Sequence, residues 1–414
     1  MDIFSEELLF SKQEGVVTKV FTNYCGSTTW VLMINGDLWG TGDNCNGQQG
    51  SGSTGGYVNL FTKRLTGVID ADVFSDGGSY GTTWALRSDG TLWGCGTGTS
   101  GQQGSGSTSN VNTFTQRLTD VVSFKTSGMA TWALKSDGTL WGCGSNSSGQ
   151  QGSGNTTNVT SFTQRLTNVT QISCSQLTTW ALKSDGTLWG CGRNDYGQQG
   201  SGNTSNVTSF TQRLTNVSYV DCCYSSTWAI KNDGTLWGCG RGEYGGQGSG
   251  NTSNVKTFIQ RLTNVAKVSC CDAVTFAIKT DNTLWGTGYN NWGQQGSGNT
   301  TNVTSFAQRT TKVVDVKCSS ITTWALKDDG TLWGCGGGKG GQQGDGSTLD
   351  PYVDTMSKTF TQRMSDVKYF NCSNTNTWAV KYDGTLWGCG SASYGALGDE
   401  SSSNQSSFAQ RLKV

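Results

Sequence analysis

The residues best equipped for chemistry in this chain of 414 residues are 15 cysteines, a recurring Gly-Gln-Gln-Gly run and scattered aromatic and charged side chains. Histidine is absent, so the usual general base and the commonest metal ligand are both missing. Six cysteines sit in Trp-Gly-Cys-Gly (Cys95, Cys143, Cys191, Cys239, Cys335, Cys389) and six at the end of an earlier strand-like run (Cys25, Cys174, Cys222, Cys270, Cys318, Cys372). The two registers lie two strands apart, roughly 9.6 Å, beyond the ~7 Å Cα limit for a disulfide. With no Cys-x-x-Cys, no zinc site is predicted, and the thiols are expected to fill the core. Of the adjacent pairs Cys222-Cys223 and Cys270-Cys271, the second members are expected to be exposed. The Gly-Gln-Gln-Gly runs, such as 149–152, do not make a phosphate cradle, because no helix follows and no Lys completes a P-loop. They read as turns whose Gln amides bond to backbone. The Arg of Phe-Thr-Gln-Arg (Arg117, Arg165, Arg213) recurs in every unit, as a structural ion pair or a surface residue. No paired carboxylates and no nucleophile–base set recur. The sequence therefore predicts no enzyme, no cofactor and no metal.

Charge narrows the partners. Lys+Arg and Asp+Glu number 29 each, which excludes a globally basic nucleic-acid binder. No apolar run approaches the ~20 residues of a membrane helix, so no membrane insertion is expected. Met1–Gly15 carries neither a basic start nor an apolar stretch and is not read as a signal peptide. The sequons at Asn158 and Asn206 are accordingly expected to stay unmodified.

The elements that position these residues follow from a repeat. The Trp of Trp-Gly falls at 39, 93, 141, 189, 237, 285, 333 and 387, spaced by 54, 48, 48, 48, 48, 48 and 54. Phe-Thr-Gln-Arg and its variants also count eight. One unit holds four strand-like runs rich in β-branched and aromatic residues: A, 169–174; B, 178–184; C, 187–192; D, 210–214. Asp185-Gly186 between B and C predicts a type I′ hairpin. Trp180 and Trp189 read as packing between neighbouring sheets, with Gly190 and Gly192 allowing close approach. Four-stranded units in this number predict an all-β, closed propeller of eight blades over 16–414, strand A innermost. Residues 1–15 lie outside the repeats as an extension that could dock the propeller. A β-helix is excluded by its much shorter period.

The stretch Ala181–Gly200, ALKSDGTLWGCGRNDYGQQG, resembles the repeat of the regulator of chromosome condensation family, AL-x-x-DG-x-[LV]-x-x-WG-x-N-x-x-GQLG. The resemblance recurs eight times from about Val16 to Leu412. It implies a propeller, typically of seven blades, so seven is the alternative to the eight units counted. The family's nuclear founder binds chromatin and exchanges guanine nucleotide on a small GTPase through a basic tail and a β-wedge. Neither feature is visible in this sequence.

In a meander, the A–B and C–D loops emerge on one face and the B–C turns and D–A links on the other. The second face is nearly constant (SDGT, LTNV); the first diverges from unit to unit, with insertions at 75–81 and 349–356. The divergent face is therefore the expected binding face. Its candidate partner-binding residues are Arg193, Asp195, Tyr196, Arg241, Glu243, Tyr244, Tyr289, Trp292, Lys339, Tyr352 and Tyr394, with Tyr196, Tyr244, Trp292 and Tyr394 as anchors. A charge-poor surface rich in Ser, Thr, Asn, Gln and Gly predicts a virion protein. It would be a bacteriophage tail, fibre or capsid-decorating component that engages a protein or a surface glycan alongside other virion proteins. The alternative is a cytoplasmic regulator acting on a small GTPase or another protein.

Overall fold

The computed structural model describes residues 15–75, 79–338, 340–347 and 356–412. These form eight antiparallel four-stranded sheets, each built from four consecutive strands. The eight units counted in the sequence are thus eight blades, not seven. Blade 4 comprises A (Val169–Cys174), B (Thr178–Lys183), C (Leu188–Gly192) and D (Val207–Leu214). Strand D begins three residues before the predicted start, because Val207 pairs with Gly192 beyond a register shift at the end of C. The ring closes by packing and hydrogen bonds between the first and last blades, without exchange of a strand. Val17, Val20 and Val31 of blade 1 share a core with Trp378, Val380 and Leu386 of blade 8. The Thr41 hydroxyl donates across the same seam to the Gly395 carbonyl at 2.9 Å.

Each seam carries its own apolar core. Between blades 4 and 5, Trp180, Leu182 and Leu188 meet Val217, Val220 and Ala229. Trp180 is fully buried and meets Phe258 of the next blade edge-on, with centroids 5.7 Å apart. The arrangement recurs around the ring and closes at Trp378–Phe61. Such pairs add about 0.5–1.5 kcal/mol beyond the area they bury. A Cβ on Gly190 would lie 2.5 Å from the Trp180 indole of its own blade. The glycine therefore makes room for the cross-strand tryptophan, not for the neighbouring sheet as expected. Trp189 also departs from the packing role read for it. It is half-buried within its own blade, its indole N–H donates to Thr187 at 2.9 Å, and Lys183 covers its ring at 4.6 Å.

The Gly-Gln-Gln-Gly run is the polar staple of the seam. The second Gln reaches back into its own blade: Gln151 Nε2 donates to the Cys143 carbonyl at 2.8 Å. The carbonyl of the first Gln accepts from the next blade. Gln102 O takes the Thr131 hydroxyl at 3.0 Å and the Cys143 thiol at 3.3 Å. Where Thr287 replaces the cysteine and Gly246 the first Gln, the Thr287 hydroxyl donates one residue earlier, to Gly245 O at 2.9 Å. The buried thiols are thus hydrogen-bond donors as well as filler, and burial holds them far above the usual thiol range. All fifteen cysteines are thiols. The exposed one is Cys45; Cys223 is buried and Cys271 half-buried, because the end of strand A turns into the central channel. The repeated Arg has a structural partner in the later blades: Arg363 pairs with Asp345 at 3.2 Å, and Arg309 donates to Gly286 O at 3.2 Å, whereas Nε of Arg117, Arg165 and Arg213 is buried without one among the described residues.

On the constant face the B–C hairpin forms as expected, with a different turn. Lys183 O accepts the Gly186 N–H at 3.0 Å, and only Gly186 has positive φ, +75°. A type I′ turn needs positive φ at both central residues, so this is a type I turn followed by a left-handed bulge residue. Asn282 fills that position in blade 6, at φ 61°. The D–A link locks onto the turn: Asn168 takes φ 60°, and Val169 N–H donates to Gly138 O of the preceding blade at 2.9 Å.

Candidate partner-binding face and channel mouth

The C–D loops are rigid at their base. Asn194 Nδ2 donates to Ser201 Oγ at 2.9 Å and to the carbonyls of Asn203 and Ser205 at 3.0 Å each. Gln198 Oε1 accepts the Tyr196 N–H at 2.9 Å. Asn146 and Asn290 build the same frame in their loops. The tip residues therefore project from a fixed scaffold.

On that scaffold seven of the predicted residues form one patch across blades 4–6. Arg193 pairs with Asp195 at 2.6 Å and lies 4.7 Å over the ring of Tyr224, from the A–B loop of blade 5. Its guanidinium also donates to the Tyr224 hydroxyl. Arg241 pairs with Glu243 and stacks at 5.1 Å on Tyr196. Tyr244 meets Tyr289 at 4.9 Å. Arg193 is held between the Tyr196 and Tyr224 rings while its carboxylate partner faces solvent: side-chain exposure is 16% for Arg193 against 49% for Asp195. Each stack contributes about 0.5–1 kcal/mol at such a site.

The other predicted residues do not join the patch. Trp292 is half-buried against Gly337 of the following blade, so it is a seam residue and not an exposed anchor. Tyr394 pairs with Tyr57 at 5.2 Å over the closure seam. Lys339 and Tyr352 lie outside the described residues, as do most of the 349–356 insertion, residues 76–78 and the proposed docking segment 1–14. Sequence reasoning missed Tyr224, Tyr24 and Tyr57. The signal was present, an aromatic in a variable loop, but only the ring sets the A–B loop of one blade beside the C–D loop of the previous one.

The innermost strands line a polar channel. Their third and fifth residues vary by blade and pair around the ring. Lys19 reaches Asp70 at 3.1 Å, Lys267 reaches Asp315 at 3.5 Å, and Lys317 donates to Asn371 at 3.2 Å. Asp72 accepts both the backbone and hydroxyl hydrogens of Thr126 at 3.2 Å. Burial pushes the Asp221 carboxyl up to about 6, opposed by the Cys222 N–H and the charge of Lys125. At the mouth, Tyr24 spans the ring to donate to Asp272 at 2.9 Å and also meets the Ser320 hydroxyl. Beside this bar opens a cavity of about 480 Å³ lined by Phe74, Gly128, Gln176, Cys223, Tyr224 and Cys271 among others. Among the described residues no three Cys, Asp or Glu gather closely enough to hold a metal.

The model of the regulator of chromosome condensation (RCC1) repeat matches residues 169–198, from strand A of blade 4 into its Gly-Gln-Gln-Gly turn. The match spans part of one of the eight units. Three solved structures share its architecture. Human WBSCR16 is 18% identical over 78% of this chain and 93% of its own, with a TM-score of 0.61. Yeast RCC1 (Prp20), solved bound to Kap60, is 18% identical over 78% and 83%, with a TM-score of 0.61. Saccharomyces cerevisiae Prp20p, described with its binding properties to Gsp1p and histones, is 19% identical over 79% and 87%, with a TM-score of 0.60. At these identities the RCC1-like likeness is one of fold. No curated protein matches the chain in sequence.

Proposed function

We propose that this RCC1-like propeller is a non-enzymatic binding module that takes a protein partner on its A–B/C–D loop face, anchored at the blade 4–6 patch. The observation that carries the reading is the interleaving of Arg193, Tyr196, Tyr224 and Arg241, with Arg193 and Tyr196 on a loop whose base is tied down by Asn194. Tyrosine and arginine dominate binding hot spots, and preordered side chains lose little entropy on docking. The yeast propeller solved bound to Kap60 supports protein binding as a use of this architecture. The setting we favour is a virus particle, on the strength of zero net charge and only 14% charged residues. Finding the chain by mass spectrometry in purified particles supports that setting; finding it only in host cytoplasm overturns it.

The face assignment has its own test. Cross-linked partners are compared among the wild type, the double variant Arg193→Ala/Tyr224→Ala and Tyr382→Ala, which alters an exposed ring on the opposite face. The expected result is loss of the cross-link only in the double variant. Equal retention in all three removes the patch as the anchor.

A further inference from the structure

Thiols concentrate at one end of the channel. The sixth residue of strand A is a cysteine on five successive blades, at Cys174, Cys222, Cys270, Cys318 and Cys372. Blades 5 and 6 add a second thiol each, Cys223 and Cys271. At two seams the cysteine of one blade meets a serine of its neighbour: Cys222 lies 3.3 Å from Ser173 Oγ, and Cys318 lies 3.7 Å from Ser269 Oγ.

The seam between blades 5 and 6 differs. The Cys223 thiol donates across it to Asp272 O at 3.5 Å, and the Cys270 thiol donates back to Asp221 Oδ2 at 3.8 Å. Each sulfur thus reaches the residue two places from the other cysteine. The two contacts cross the seam in opposite directions and bracket the gap between the Cys223 and Cys270 side chains. Both cysteines also line the open cavity at the mouth, so a small oxidant has a path to them.

We propose that Cys223 and Cys270 are an oxidisable pair that closes an inter-blade disulfide, stapling blades 5 and 6 at the channel mouth. With oxidised glutathione as the oxidant, one cysteine thiolate attacks the glutathione disulfide and releases one reduced glutathione. The second cysteine then attacks the mixed disulfide and releases another. Two cysteine thiols lose two protons and two electrons, one S–S bond breaks and one forms, and two glutathione thiols result. Asp221, beside Cys270, is the nearest carboxylate to accept a proton. The link joins two successive blades of the ring and restricts the unfolded chain, so it raises thermal stability.

The test uses the full chain carrying Cys45→Ser, which removes the exposed thiol. After incubation with oxidised glutathione, free thiols are counted under denaturing conditions, and non-reducing peptide mapping locates any cystine. The expected result is a loss of two thiols, one cystine joining Cys223 to Cys270, and a Tm that rises on oxidation and reverts with dithiothreitol. Adding Cys223→Ser or Cys270→Ser should abolish the cystine and the shift, while Cys372→Ser keeps both. An unchanged thiol count, stable glutathione adducts at these positions, or a cystine between Cys271 and Cys318 overturns the proposal.

Discussion

The two faces of the ring are made by the same repeat, yet one is nearly constant and the other diverges. On the constant face every turn is bonded to the next blade. Val169 N–H reaches Gly138 O, and Val217 N–H reaches Gly186 O, at 2.9 Å each. A change there disturbs two blades at once. On the divergent face the bases of the C–D loops do similar work: Gln150 O accepts the Cys191 thiol of the next blade at 3.3 Å. The tip residues Arg193, Asp195 and Tyr196 instead bond to one another and to neighbouring tips. Sequence constancy therefore follows the inter-blade hydrogen bonds, and not one face as a whole.

The largest expected effect lies beneath both faces. Trp180→Ala should destabilise by about 3–5 kcal/mol in chemical denaturation, because a fully buried indole leaves a cavity against Phe258. Trp228→Ala should match it, since the seam repeats. A loss under 1 kcal/mol in either would break the view that the seams carry the ring.

Next comes the staple. Gln199→Ala removes the donor to Cys191 O at 2.7 Å and leaves a buried carbonyl unpaired, for an expected loss of about 2 kcal/mol. If the loop base behaved like its tip, the urea midpoint would not move.

The channel sharpens the comparison, because its variable positions do carry energetic weight. The Asp221 carboxyl titrates near 6 in the fold, above its ordinary value of 3.8. Between these values the native state binds the extra proton. Stability should therefore fall by about 2 kcal/mol as pH rises from 4 to 6, then level off. Burial raises Asp72 as well, with the same sign. Asp221→Asn should flatten much of that slope in urea titrations run across the window, and an unchanged slope would exclude Asp221 as its source.

On the constant face Gly186→Ala should cost about 1 kcal/mol, the strain of a left-handed residue with a side chain. Gly186→Asn should cost visibly less, as the Asn282 turn of blade 6 implies. Thermal melting of the pair checks the turn type, and equal losses would contradict it.

The smallest stability effect belongs to the tips. Tyr224→Ala should shift unfolding by only about 0.5 kcal/mol, the low end for a stack at an exposed site, while removing the partner cross-link. A melting loss as large as that of Gln199→Ala would make Tyr224 a structural residue and erase the contrast between tip and base.

The repeat, its eight copies, the strand order within a blade and the partition into two faces were all legible in the chain. Alternating β-branched and aromatic runs, punctuated by Asp-Gly and Asn, are local properties that act within one blade. Roles set by a neighbouring blade were not legible. Trp180 and Trp189 look alike along the chain, yet one fills a seam and the other is capped by Lys183. The same holds for Trp292 against Tyr244, which occupy equivalent loop positions and differ in burial because the following blades differ.

The local code of a 48-residue unit thus settled the architecture, since each sheet is laddered from the strands of one unit and stacks on its neighbours. Ring closure decided the rest. It brought Tyr24 across the channel to Asp272, set Tyr224 against Arg193 and turned the Cys223 thiol onto Asp272 of the next blade. Those contacts join residues of different blades, and their spacing depends on how many blades close the ring and at what radius, which no single repeat encodes.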